Sequence, residues 1–510
     1  MNKKNIRPGL VIFLLYLILN LIILKDYGLS WDYHYHHYAG LFHLGKPVPV
    51  ISETSIIPFS SPDPRLTLDD PFGPFTQILP SLSQILFADN LKILPFDIAY
   101  NLPMVIFGSL GVFILYLFIL ELYSLPVAVI SSLFLALNPL YFGYLHNNMK
   151  DIPNSFAFTL SLWLFWRLVK YKNLNSLLAA SLSFAFAFNV KINSIFIPVI
   201  CGLYFLAKKP FAQGFVKARI VLIYFLLAPV LAVLVWWPFW RDPLSKLLEL
   251  PKFYSLNTFN MPVLFLGNIY RSGVNIPSFY PYVYLAVSTP LPILVPLVIG
   301  LTISLINAIR KKNGYLMVIL WFFVPLLRYF YPRSGAIDGV RHFMEVLPPL
   351  SVFAGISISF LLNKLKRRYS YMVLIIIFTS LILNLIKYHP YQTSFFNSTI
   401  GGIRGASGKF DIDFWGTPQK EAVIWLNENA SLNSYVHIVM AQSTAAVYLR
   451  NDLLLNLNKK NAYESDFLVL LNRQSFFDIY GISPKELLKK FKLVYTENLM
   501  EVPLVWVFKR

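Results

Sequence analysis

Apolar segments recur from the N-terminus to Tyr388, each close to the roughly 20 residues that a helix needs to cross a bilayer, and this limits the possible folds more than any other feature. Eleven spans are expected, at about 9–25, 98–122, 125–145, 154–170, 174–190, 193–207, 220–237, 283–308, 315–330, 344–362 and 371–388. The two runs flanking Lys191 are both short. Of 510 residues, 56% are hydrophobic and only 14% charged, too apolar a balance for a soluble chain of this size. The fold class expected is mainly α: a polytopic membrane protein of about eleven transmembrane helices. Lys3, Lys4 and Arg7 precede the first apolar run with no small-residue cleavage site after it, so an uncleaved first span is expected. The single cysteine, Cys201, excludes both a disulfide framework and a cysteine metal site.

The formal net charge of +19 raises nucleic acid as a partner, but the basic residues follow topology instead. With the N-terminus cytoplasmic, the short inside loops hold 17 Lys and Arg: Lys3, Lys4, Arg7; Arg167, Lys170, Lys172; Lys208, Lys209, Lys217, Arg219; Arg310, Lys311, Lys312; and Lys364, Lys366, Arg367, Arg368. The outside loops are longer and close to charge balance. The basic excess is therefore an orientation signal, and no nucleic-acid partner is expected.

Eleven spans place residues 389–510 on the extracytoplasmic side of a cell membrane, beyond a transmembrane module of residues 1–388. "TPQKEAVIWLNENA" has the period of an amphipathic helix, with Ala422, Trp425 and Leu426 on one face. "YVHIVMA", "DFLVLL" and "VPLVWVFKR" read as strands, so a small α/β domain is expected there. Two outside loops, 26–97 and 238–282, are long and crowded with proline and aromatic residues, which suits surface helices and folded turns.

Three outside loops carry candidate chemistry. In "GLSWDYHYHHYAG", Asp32 lies just past the first span, where a carboxylate is either functional or solvated among interfacial Trp31 and Tyr33. His34, His36 and His37 lack the spacing of a zinc-protease motif. In "YLHNNMKDIPN", Lys150 and Asp151 adjoin a proline, and Asp151 either complements a helix dipole or shares a pocket with Asp32. In "YPRSGAIDGVRHFMEVLPP", Arg333, Arg341 and His342 stand outside, against the positive-inside preference. Arginine there calls for an anion, either a lipid phosphate or an acid such as Asp338 or Glu345. Lys191, between two short runs, either contacts substrate or snorkels.

In their order along the chain, the acid after the first span, "NNMKDIP" after the third, "WWPFWRDP" after the seventh, "VSTPLPIL" opening the eighth and "DGVRHFMEVLPP" before the tenth carry a resemblance. So does "FFNSTIGGIRGASGKFDIDFWGTPQKEAVIWLN". Together they resemble the GT-C superfamily of polytopic glycosyltransferases, in particular the bacterial and archaeal relatives of dolichyl-phosphate-mannose protein mannosyltransferases and of lipid A aminoarabinose transferases. The resemblance implies a GT-C fold and transfer of a sugar from a polyprenyl- or dolichyl-phosphate carrier to an acceptor hydroxyl of a protein, lipid or glycan, outside the membrane. It implies Asp32 as the catalytic base and Asp151 as the second catalytic carboxylate, with Arg341 and Lys150 at the donor phosphate; Arg333, outside in the same loop as Arg341, is a further candidate for that phosphate. Trp31, Tyr33, His342 and Lys191 are then candidates for substrate contact, and Asp32 and Asp151 for a divalent Mg or Mn if one is used. The chain departs from the paired "DE" of some members, since Tyr33 follows Asp32. One carboxylate base suffices for an inverting displacement, so inversion is expected. A secondary transporter or flippase is the alternative, although no internal repeat is evident; a non-catalytic scaffold leaves the outward arginines unexplained.

Overall fold

The computed structural model describes residues 3–48, 72–208, 215–240, 242–256, 258–312, 314–331, 334–456 and 459–510. Each of the eleven apolar segments coincides with a helix: α1 (Lys3–Ile23), α4 (Phe96–Leu122), α5 (Leu125–Ala136), α7 (Asp151–Tyr171), α8 (Leu174–Val190), α9 (Phe196–Ala207), α10 (Phe215–Leu234), α13 (Leu291–Ile309), α14 (Tyr315–Leu327), α15 (Leu347–Leu362) and α16 (Arg367–Tyr388). Among the described residues five helical stretches, those of α1, α4, α13, α15 and α16, are long and apolar enough to cross a membrane alone, α5, α8, α9, α10 and α14 belong to shorter apolar stretches, and α7 has the length, at 21 residues, but is less apolar.

Two of the expected spans are broken, and local chemistry explains both. At 125–145 the chain restarts as α6 (Pro139–Tyr144), because Leu140 and Tyr141 N–H donate to Asn138 Oδ1 and Pro139 takes the first helical turn. At 283–308, Pro290 holds Thr289 extended and divides α12 (Tyr280–Ser288) from α13.

The bundle is layered. α15 packs against α13 and α5, α4 against α1, α5 and α7, and α8 against α7 and α10. Leu15, Ile18 and Ile22 of α1 and Ile375, Ile376 and Ile386 of α16 remain exposed, as lipid-facing residues must. Close approach of α13 and α15 requires glycine: a Cβ at Gly300 would collide with the Phe353 carbonyl. Gly300→Val should therefore force the pair apart and lower stability by about 1–3 kcal/mol. Thermal unfolding in detergent measures this, and an unchanged midpoint would show that the contact is not close.

The long outer loops contain α2 (Tyr33–His43) and α3 (Phe75–Gln84) in the first, and α11 (Pro243–Leu256) with the hairpin β1 (Pro262–Phe265) and β2 (Asn268–Arg271) in the second. Residues 49–71, including most of "PRLTLDDPFGPF", lie outside the described residues.

After Tyr388 come α17 (Gly402–Ala406), α18 (Gln419–Asn429), β3 (Tyr435–Val439), α19 (Gln442–Ala446), β4 (Leu454–Leu455), β5 (Phe467–Leu471), β6 (Lys492–Leu499) and β7 (Val502–Lys509). The strands form one sheet in the order β4-β3-β5-β7-β6, with β3 parallel to β4 and β5, and β7 antiparallel to β5 and β6. Ala422, Val423 and Leu426 of α18 share a core with Ile438, Leu468 and Val505, and Trp425 is half-buried beside it. β6 lacks apolar alternation, which is why sequence patterning passes over it.

Candidate functional site

The loop before α7 is shaped by Asn148, whose Oδ1 accepts from the backbone N–H of Lys150 (3.1 Å) and Asp151 (2.7 Å). Its amide Nδ2 donates to Asp151 Oδ2 (2.8 Å), which pins that carboxylate at the helix start. Asn147 Nδ2 donates to Gly28 O (3.3 Å) and Thr417 Oγ1 (3.1 Å), joining three loops distant in sequence. Trp31 N–H donates to Trp415 O (2.9 Å), and Thr444 Oγ1 donates to Trp31 O (3.1 Å). The loop carrying Asp32 is thus clamped between the helix bundle and the C-terminal segment.

Asp32, Lys150, Asp151, Lys191 and Arg341 meet at this junction. Lys150 Nζ donates to Asp32 Oδ2 (2.9 Å), and Lys191 Nζ to Asp151 Oδ1 (2.5 Å). Arg341 bridges the two acids, with Nη1 3.5 Å from Asp32 and Nε 3.8 Å from Asp151, while its Nη2 lies 3.0 Å from Asp338. The Trp415 ring lies 4.8 Å from the Arg341 guanidinium, and Phe72 lies 4.7 Å from Lys150 Nζ. The outward arginine has therefore found the acid partner Asp338, yet it also faces both candidate catalytic acids. Lys191 does not snorkel; it is buried on Asp151.

Exposure separates the two carboxylates. The Asp32 side chain is 32% exposed, whereas Asp151 is 3% exposed. Removal from water works to raise the Asp32 pKa, but Lys150 and then Arg341 hold it well below the usual carboxylate range.

The remaining sequence candidates divide. His342 Nε2 lies 3.2 Å from Arg341 Nη2, at the edge of the cluster. Trp31 packs on Phe476 of the C-terminal segment, 6.0 Å between ring centroids. Tyr33 is turned into packing: its hydroxyl donates to Gln84 (3.0 Å) and its ring lies edge-on to Tyr100. His36 and His37 face α3, with His37 Nδ1 3.1 Å from Ser81 Oγ and His36 Nδ1 3.3 Å from Gln77 Nε2, while His34 lies edge-on to the Tyr33 and Tyr38 rings of its own helix. Burial pushes His34 and His37 down to about 4, so both are neutral packing groups at neutral pH. Arg333 lies outside the described residues.

Sequence reasoning missed Asn148, Asp338 as a hub, Trp415 and Arg473. Asp413 positions Trp415 by accepting from Trp415 N–H (2.9 Å) and Gly416 N–H (2.6 Å); burial pushes its carboxyl up to about 6 all the same. Arg473 follows the parallel strand β5, and the carboxyl ends of parallel strands were the signal that could have found it.

In this arrangement three of the four oxygens of Asp32 and Asp151 face cations or an amide. Lysine, arginine and asparagine engage Asp32 Oδ2 and both oxygens of Asp151, and no group of three His, Cys, Asp or Glu able to hold a metal occurs among the described residues.

A layered bundle of apolar helices, a charged cluster at its mouth and a small mixed sheet covering that mouth define a multi-pass membrane protein of the GT-C fold. Within it, residues 95–237, from the start of α4 to just past α10, match the family model described as "Dolichyl-phosphate-mannose-protein mannosyltransferase". The chain is similar in fold to ArnT from Cupriavidus metallidurans in the apo state, at 13% identity over 98% of this chain and 97% of that one, with a TM-score of 0.56. The structure of the same protein bound to undecaprenyl phosphate gives 12% identity, the same coverage and a TM-score of 0.53. The archaeal oligosaccharyltransferase AglB from Archaeoglobus fulgidus, in complex with an inhibitory peptide and a dolichol-phosphate, gives 13% identity over 90% and 69% of the two chains and a TM-score of 0.50. By sequence, no curated protein matches the chain.

Proposed function

We propose that this protein is a membrane glycosyltransferase that moves a sugar from a polyprenyl-phosphate carrier to an acceptor hydroxyl on the extracytoplasmic face, with inversion at the anomeric carbon. The observation that carries this reading is the convergence of Lys150, Lys191 and Arg341 on Asp32 and Asp151 at one mouth of the bundle. The ligands of ArnT and AglB, undecaprenyl phosphate and dolichol-phosphate, support the donor class. The N-terminus is cytoplasmic and the sheet-bearing segment external, which agrees with the basic residues of the opposite loops.

Asp32, the more exposed acid, takes the acceptor proton as the acceptor oxygen bonds to the anomeric carbon. The bond from that carbon to the carrier phosphate breaks, and the phosphate leaves with its electron pair toward Lys150 and Arg341. Asp151 is too buried to meet an acceptor; it orients Lys191 and Arg341. The donor phosphate competes with Asp32 for the same cations, so donor binding raises the basicity of Asp32 at the step that needs it. Acceptors of protein, lipid or glycan type all present the required hydroxyl.

The test is release of free polyprenyl phosphate by the purified chain in liposomes, with pentose and hexose donors and detergent-solubilised cell-envelope acceptors. Donor-dependent release supports the reading. Absence of release together with absence of polyprenyl-phosphate binding overturns it.

A pH dependence follows from the Asp32 environment. Because its pKa is lowered below 3.8, the basic form persists on acidification and is lost only as pH falls through the lowered value. Measured as kcat/KM for the donor, which reports the free protein, transfer should therefore show no acid-side decline between about pH 7 and pH 5 from this group. Lys150→Gln removes the nearest cation and lets burial dominate, so the acid limb should move upward, as rate–pH profiles of both proteins would show.

A further inference from the structure

Asp338 divides its carboxylate between two guanidiniums. Oδ2 faces Arg341 Nη2 at 3.0 Å, and Oδ1 accepts from Arg473 Nη2 at 2.6 Å. Arg473 lies 135 residues further along the chain and belongs to the sheet-bearing segment. Its side chain is 5% exposed and lies 3.8 Å from the Phe476 ring centroid, so it is no surface charge. Its Nη1 donates to Phe414 O (3.0 Å), in the residue before Trp415, whose ring faces Arg341. Arg473 therefore holds both the anion and the aromatic wall that bound the Arg341 guanidinium. Asp338 itself is fixed by a left-handed backbone (φ 57°), and the following Gly339 N–H donates to Tyr280 OH (2.9 Å).

The geometry points to Arg473 as a positioning residue for Arg341, acting through Asp338 to keep that guanidinium available to the donor phosphate. This rests on the reading of Arg341 as a donor-phosphate contact. In a site largely withdrawn from water, an unshared Asp338 carboxylate would compete strongly with an incoming phosphate for Arg341. Arg473 takes up part of that charge, and its planar fork does so while bonding the Phe414 carbonyl, which an ammonium reproduces less well. The C-terminal segment thus contributes to the electrostatics of the donor site as well as covering it.

The test compares Arg473→Gln, Arg473→Lys, Asp338→Asn/Arg473→Gln and Arg341→Gln in the full-length chain. Affinity for geranyl phosphate is read by calorimetry, and KM and kcat by donor turnover. Arg473→Gln should weaken geranyl phosphate binding and raise donor KM by about tenfold with kcat nearly unchanged, less than the loss of a direct charge partner because Arg473 acts through Asp338. Arg473→Lys should lie between this variant and the parent. The double variant should regain parental affinity, because removing Asp338 removes the competitor; a clasp that only holds the segments together would leave it as weak as the single variant. If Arg341→Gln weakens binding while Arg473→Gln does not, or if the double variant folds and stays weak, the role of Arg473 is overturned. If Arg341→Gln leaves geranyl phosphate affinity at the parental value, the donor-phosphate reading fails and this inference with it. Should Arg473→Gln not fold, the double variant and Arg473→Lys decide by the same criteria.

Discussion

Asp32→Asn is expected to lower sugar transfer by about 100- to 10,000-fold, the usual worth of a positioned general base. Asparagine keeps the volume of the side chain but cannot accept the acceptor's proton at catalytic pH. Asp32 is 32% exposed, and the two cations it faces have other partners nearby: Arg341 keeps Asp338 and Asp151, and Lys150 keeps the Phe72 face. The fold should therefore survive, and donor affinity should hold or rise, because one anion that competes for Lys150 and Arg341 is gone. Turnover in liposomes at saturating donor, with geranyl phosphate binding measured alongside, separates these effects. Parental turnover by Asp32→Asn would refute the assignment of Asp32 as the base.

The second large effect belongs to Arg341→Met. Arg341 is the group that touches Asp32, Asp151 and Asp338 together, and its side chain is only 11% exposed. Removing it leaves carboxylates in a poorly solvated site with less neutralisation, a loss of about 3–5 kcal/mol when a buried pair is broken. Transfer should fall further than stability explains, by about 100- to 1,000-fold, because a donor aimed at the departing phosphate is lost. Arg341→Lys retains the charge but not a fork that reaches three carboxylates, so it should fold better than Arg341→Met and still turn over slowly. Turnover per folded molecule, with folding monitored by thermal unfolding in detergent, gives the comparison. Equal rates for Arg341→Lys and the parent would show that charge alone matters there.

Legibility was uneven, and the reasons are physical. Spans of about 20 apolar residues are a local property, since each must satisfy its own backbone in lipid, and all eleven expected segments coincide with helices. The interruptions at Asn138–Pro139 and Thr289–Pro290 were also local, but a hydropathy window averages over them. Asp32, Lys150, Asp151 and Arg341 stood out because charges beside apolar runs are rare and costly. Tyr33 and His37 beside Asp32 stood out for the same reason and proved to pack α2 against α3 and α4. On a helix, neighbours in sequence point in different directions, so proximity to Asp32 in the chain did not place Tyr33 beside it in space.

The sequence by itself determined that the chain lies in a membrane, which loops share a face, and which few ionisable residues stand at that face. Only the tertiary structure decided their pairings: Lys150 with Asp32, Lys191 with Asp151, Arg341 among three carboxylates, and Arg473 on Asp338. Hydropathy and the positive-inside preference act on each segment separately, so they are written into short windows. An ion pair between residues 338 and 473 depends on two loops being brought together and withdrawn from water, and no window of sequence contains that.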